Sequence, residues 1–163
     1  MTTPRPATTA TRLERTYPAT PERIWELWTT AEGINQWWAP DGFRTDVTAI
    51  DVRPGGELVY DMTAVAPEMV AFMEGAGMPL TNRATKTFTE VDRPRRLAYT
   101  SLIDFVPGHE PYEHLTVVDL EPAGDGTTVT MTLDPLHDED WTGRIVAGRT
   151  NELENLARLL GGA

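Results

Sequence analysis

Three histidines, four tyrosines, a single serine and an arginine at a helix position that should be apolar are the side chains here whose chemistry invites a role. His114 alternates with Thr116, Val118 and Leu120, the pattern of a strand with one apolar face, so its imidazole should point the way that face points. His109 lies in a loop between prolines, and His137 stands just before a long helical stretch. No two histidines are three or four apart on a helix and the chain has no cysteine, so no metal site is expected. Tyr60 alternates with Leu58 and Met62, and Tyr99 with Leu97, Ser101 and Ile103. Either hydroxyl could bond a polar group on a ligand, or belong to an ordinary half-buried sheet tyrosine. His114 with a tyrosine or arginine would make an acid–base set, whereas a lone strand histidine is more often a hydrogen-bonded core residue. Ser101 has no nucleophile motif around it, which argues against hydrolase chemistry.

Arg149 sits four residues after Ile145 and four before Leu153, on a stripe that runs Trp141, Ile145, Arg149, Leu153, Leu156 and Leu160. A guanidinium is not buried unpaired. It must therefore reach solvent, pair with an internal carboxylate, or await an anionic ligand. A stripe through Gly148 and Glu152 is one residue away and stays open.

Trp25, Trp28, Trp37 and Trp38 fall at core spacing, with Trp38 the one freest to face a cavity mouth. Met62 falls on a strand, while Met69, Phe72, Met73 and Met78 crowd the segment from Ala66 to Pro79. Flexible, polarisable methionines suit an adaptable apolar lining as well as simple gap-filling. With Gly75 and Gly77 to give backbone freedom, that segment reads as a lid with Met69, Phe72 or Met73 turned inward. The candidate ligand contacts are thus Trp38, Tyr60, Met62, Phe72, Met73, Tyr99, His114, Trp141 and Arg149.

The elements that must position these residues are well marked. Leu13, Arg15 and Tyr17 alternate on a first strand. Thr20-Pro21-Glu22 starts a helix, and Thr30 caps a second that Pro40 stops. Three strand pairs follow, turning at Arg53-Pro54-Gly55-Gly56, at Asp92-Arg93-Pro94-Arg95 and at Glu121 to Gly126. Consecutive hairpins make an antiparallel sheet. A helix from about Glu139 to Leu160 closes the chain, with acidic residues at its start and Gly161-Gly162 at its end. The class is α+β: seven antiparallel strands gripping a long C-terminal helix.

A chain of 163 residues with 40% hydrophobic and 24% charged residues suits one domain over residues 11–163, after a disordered leader over residues 1–10. The leader has no apolar h-region, so the cytoplasm is the default compartment. Fourteen basic against 25 acidic residues give a net charge of −11, which disfavours nucleic acid and anionic membrane as partners. There is no phosphate-cradling or dinucleotide-binding glycine loop, so no cofactor is expected. A homodimer is left open.

"RTYPATPERIWELWTTAEGINQWWAP" followed by "DVRPGGELVYDM" resembles the activator of Hsp90 ATPase homologue-like proteins, grouped with polyketide cyclases in the START-like superfamily. "TEVDRPRRLAYT", "VVDLEPAGDGTTVTMTL" and "HDEDWTGRIVAGRTNELENLARLL" are similar to that family's later strands and closing helix, so the resemblance spans about Thr11 to Leu160. It implies a helix-grip fold with a cavity between sheet and helix. Many relatives carry a Gly-Trp pair midway along the last helix, where this chain has Gly148-Arg149. The expected function is binding of a small hydrophobic or aromatic molecule for transport, sensing or sequestration. The alternative is a cyclase or dehydratase acting on a polyketide-like substrate, and a chaperone-interaction domain is a third, weaker reading.

Overall fold

The computed structural model describes residues 10–104 and 108–161. Apart from Ala10, the expected leader lies outside them, as does Phe105, where the strand that begins at Arg96 is expected from its sequence to end. The order is β1 (Thr11–Tyr17), α1 (Pro21–Thr29), α2 (Ala31–Trp37), β2 (Phe43–Ile50), β3 (Glu57–Ala64), α3 (Pro67–Gly75), β4 (Thr81–Asp92), β5 (Arg96–Ile103), β6 (Tyr112–Ala123), β7 (Gly126–Leu133) and α4 (Glu139–Leu160). All seven strands form one antiparallel sheet in the order β1-β7-β6-β5-β4-β3-β2.

Local chemistry fixes these boundaries. Thr20 Oγ1 accepts from the Arg23 amide at 3.1 Å, and Pro21 fills the first turn of α1. Thr30 works at two helix ends, donating to the Glu26 carbonyl (2.8 Å) and accepting from the Gly33 amide (3.0 Å). The Asp138 carboxylate takes the Trp141 amide at 2.8 Å to start α4, and Gly161, at φ 75°, closes it. Gly55, at φ 87°, supplies the left-handed corner expected of the β2–β3 turn.

The inward face of the sheet carries Leu58, Phe88, Leu97, Tyr99, Val118, Leu120, Val129, Met131 and Leu133. Against it lie Ile24, Leu27 and Trp28 of α1, Ile34 and Trp37 of α2, and Leu153 and Leu156 of α4. Polar ties hold α4 in register. Tyr17 Oη donates to the Leu153 carbonyl at 2.8 Å, and Asn155 Nδ2 donates to the carbonyls of Trp37 (3.1 Å) and Ala39 (2.8 Å). The tryptophans of α1 and α2 pack edge-to-face, with ring centroids 4.7 Å apart for Trp28–Trp37 and 5.1 Å for Trp37–Trp38.

Candidate functional site

Strands β4 and β5 pair from Asp92↔Arg96 to Lys86↔Ser101 and then part. Beyond that rung β4 continues along β3 to Thr81, while β5 continues along β6 to Ile103. A recess of about 420 Å³ occupies the parting. Arg83, Ala84 and Thr85 form one lip and Leu102, Ile103 and Asp104 the other. Tyr60, Lys86 and Ser101 face in from the sheet, and Ile145 and Arg149 come down from α4. A recess of about 520 Å³ beside Tyr17, Pro18 and Gly126 is larger, but it meets no buried charge.

Period-2 geometry gathers the polar groups. Lys86, Ser101 and His114 are successive cross-strand partners on β4, β5 and β6, and all three turn inward. The next inward row is Phe88, Tyr99 and Thr116. Lys86 Nζ lies 2.7 Å from Ser101 Oγ and 5.5 Å from the centre of the Tyr99 ring. From above, Arg149 Nη1 pairs with Glu152 Oε2 at 3.2 Å, and Nη2 makes a long bond of 3.4 Å to Thr116 Oγ1. His114 Nε2 is 2.6 Å from the Asp134 carbonyl. A carbonyl only accepts, so Nε2 carries the proton and Nδ1 is left as an acceptor.

Several of these groups are only partly satisfied. Arg149 Nε, Glu152 Oε1, His114 Nδ1, Tyr99 Oη and Trp28 Nε1 are buried without a hydrogen-bond partner among the described residues. Trp28 lies near enough to Tyr99 to favour its phenolate slightly, but not in hydrogen-bond geometry. Such atoms are rare in a settled core, and each costs ~1–3 kcal/mol when left unpaired.

Burial dominates the electrostatics. It pushes the Lys86 amine down to about 7, helped by the Arg149 charge and opposed by Glu152. It lifts the Glu152 carboxyl, against the pull of Arg149 and Lys86. It also raises the phenols of Tyr60 and Tyr99 and lowers the His114 imidazole, keeping all three neutral. Burial opposes the Arg149 charge too, but Glu152 beside it holds that group protonated.

The sequence candidates divide accordingly. Tyr60 and Arg149 line the recess, and Trp38, Tyr99 and His114 are buried nearby, with Trp38 packed edge-on to Tyr60 at 6.1 Å. Met62 is half-buried and takes a hydrogen bond from Thr45 Oγ1. Met73 is buried under α3, while Phe72 on the same helix is 66% exposed. Trp141 joins a separate cluster with His137 and Arg144. Met62, Phe72, Met73 and Trp141 do not line the recess, and α3 packs on β3 without covering it. The lining is also less apolar than the strand patterns suggest, because Lys86, Ser101 and Arg149 take inward positions among them. Sequence reasoning missed Lys86 and named Glu152 only on an alternative stripe. Lys86 shares the inward alternation of Phe88, and Glu152 lies one helical turn from Arg149.

Comparison with known proteins places the chain. Residues 18–161 match the family of Activator of Hsp90 ATPase homolog 1-like proteins. No curated protein matches. Among solved structures, protein CV1439 from Chromobacterium violaceum is similar at a TM-score of 0.73 and 22% identity, over 95% of this chain and 99% of that one. An AHSA1 protein from Silicibacter pomeroyi gives 0.71 and 20%, over 93% and 97%. CalU16 from Micromonospora echinospora gives 0.63 and 18%, over 93% and 75%. At these identities the structures share the fold. With the family match spanning nearly all of it, this chain belongs to the Activator of Hsp90 ATPase homolog 1-like family.

Proposed function

We propose that the protein binds a small molecule with a hydrophobic or aromatic body, which passes between β4 and β5 and lies beneath α4. One observation carries this reading: the recess reaches the buried Lys86 and Arg149, and Arg149 Nε has no hydrogen-bond partner among the described residues. A ligand bearing an acid group would bring oxygens to Arg149 Nε and Lys86 Nζ, and a hydroxyl could donate to His114 Nδ1. Tyr60, Ile103 and Ile145 supply the apolar contact, with Trp38 and Tyr99 packed behind them. Transport, sensing and sequestration all need only this. Titration of 3-phenylpropanoate, followed by tryptophan fluorescence, should give saturable one-to-one binding. Linear, non-saturating changes for it and for a panel of aryl and alkyl acids would refute the reading.

The enzyme reading has its own support. Lys86 lines the recess, Glu152 is the ion-pair partner of Arg149 beside it, and His114 is the cross-strand partner of Ser101 behind it. Their titrations are shifted in different directions, as in acid–base sites. Under it the substrate is a polyketide-like molecule undergoing cyclisation or dehydration. Turnover abolished by Glu152→Gln or His114→Ala, with binding retained, would establish it; binding without turnover leaves the first reading standing.

A further inference from the structure

Lys86 is the only lysine in the sequence; the other 13 basic residues are arginine. The chain uses arginine wherever a cation faces solvent, yet it places an amine at the floor of the β4–β5 opening. Arginine stays protonated under all ordinary conditions, whereas a lysine can shed its proton and expose a nucleophilic lone pair. The surroundings favour that state. Lys86 is 6% exposed, makes no ion pair among the described residues, and has Ser101 Oγ as its hydrogen-bond partner. The charged and titratable groups facing it are Arg149 and Glu152 from α4, Tyr60 from β3, Tyr99 from β5 and His114 from β6. Arg83, already paired with Asp61, and Asp104 stand at the lips.

We infer that Lys86 captures carbonyl compounds: in the recess its amine condenses with an aldehyde or ketone of a small hydrophobic molecule to form an imine. This rests on reading the recess as a small-molecule site. The nitrogen lone pair attacks the carbonyl carbon, and the carbonyl π pair takes a proton to become a hydroxyl. The cationic nitrogen gives up one proton. The hydroxyl leaves as water once protonated, as the nitrogen lone pair forms the carbon–nitrogen double bond. The resulting iminium gives up the second nitrogen proton to yield the imine. Amine and carbonyl thus become imine and one water, with no oxidant or reductant. Glu152, its carboxyl raised by burial and its Oε1 without a partner, is the proton carrier on hand, and Ser101 Oγ is the relay touching the amine.

The single lysine makes the test clean, because the N-terminal α-amine is the only other amine in the chain. The folded protein is incubated with 3-phenylpropanal and sodium cyanoborohydride, then read by intact mass and peptide mapping. An amine held near pH 7 offers about a thousandfold more free base there than an ordinary lysine, and its lower basicity gives part of this back. Lys86 should be labelled at least ~tenfold faster in the folded chain than in urea, with a rate that levels off above pH 8. Lys86→Arg and Lys86→Met should retain only the α-amine adduct. Labelling confined to the α-amine, or equally fast at Lys86 in urea, would overturn the proposal. Binding of 3-phenylpropanol separates the failures. If the alcohol binds and no imine forms, carbonyl capture is wrong and the site stands; if the alcohol does not bind either, both fall.

Discussion

Lys86 and Ser101 form the last rung of the β4–β5 ladder, and their side chains meet at 2.7 Å where the two strands part. The rung sets both the depth of the recess and the chemistry at its floor. A hydroxyl is the partner there in place of a carboxylate, so the amine's charge is left to be settled by burial and by α4.

That arrangement predicts an unusual pH dependence of stability. With the folded amine near 7 and an unfolded lysine near 10.4, the unfolded chain binds more protons between these values. Unfolding therefore becomes less favourable as pH rises from 7 to 10, and Lys86 costs the fold a few kcal/mol at neutral pH. Lys86→Met should flatten this slope and raise the urea midpoint at pH 7. Equal slopes for the two proteins would mean that Lys86 keeps its proton in the fold.

Arg149 and Glu152 test the buried pair. Arg149→Met strands a carboxylate among Lys86, Tyr99 and Tyr60, and should cost ~3 kcal/mol in urea unfolding. The double variant Arg149→Met, Glu152→Met should regain most of this. By calorimetry the double variant should bind 3-phenylpropanoate ~10–100-fold more weakly, while its affinity for 3-phenylpropanol changes little. Equal losses for both ligands would make the pair purely structural.

Asn155 clasps two carbonyls at the end of α2 from within α4. Asn155→Ala leaves both facing a cavity and should lower stability by ~2 kcal/mol, read as a shift of the urea midpoint at unchanged slope. A change below ~0.5 kcal/mol would show that water replaces the amide at no cost.

The fold was legible because its signals are local: caps at Thr20 and Thr30, acidic residues at the start of the last helix, a Pro-Gly turn at Gly55, and period-2 alternation on β1, β3, β5 and β6. The site was legible only in part. Alternation put Tyr60, Tyr99 and His114 on strand faces shared with apolar residues, and helical spacing put Arg149 on one of two candidate stripes. Where a ladder ends is a matter of pairing between strands, and no single strand's pattern shows that β4 and β5 separate after Lys86 and Ser101. Phe72 and Trp141 share the apolar character of the lining residues, but the packing of α3 on β3 and the ring cluster at His137 draw them elsewhere. An i, i+3 ion pair explains how Arg149 and Glu152, on two adjacent stripes, both turn inward.

The claim that the β4–β5 opening is the ligand site is tested most directly by amide chemical-shift mapping of the labelled protein against a library of small aryl and alkyl fragments. Binders should shift the amides of Tyr60, Lys86, Ser101, Ile103, Ile145 and Arg149 together and saturate at one equivalent. Shifts clustered elsewhere, or scattered over the surface without saturation, would contradict it.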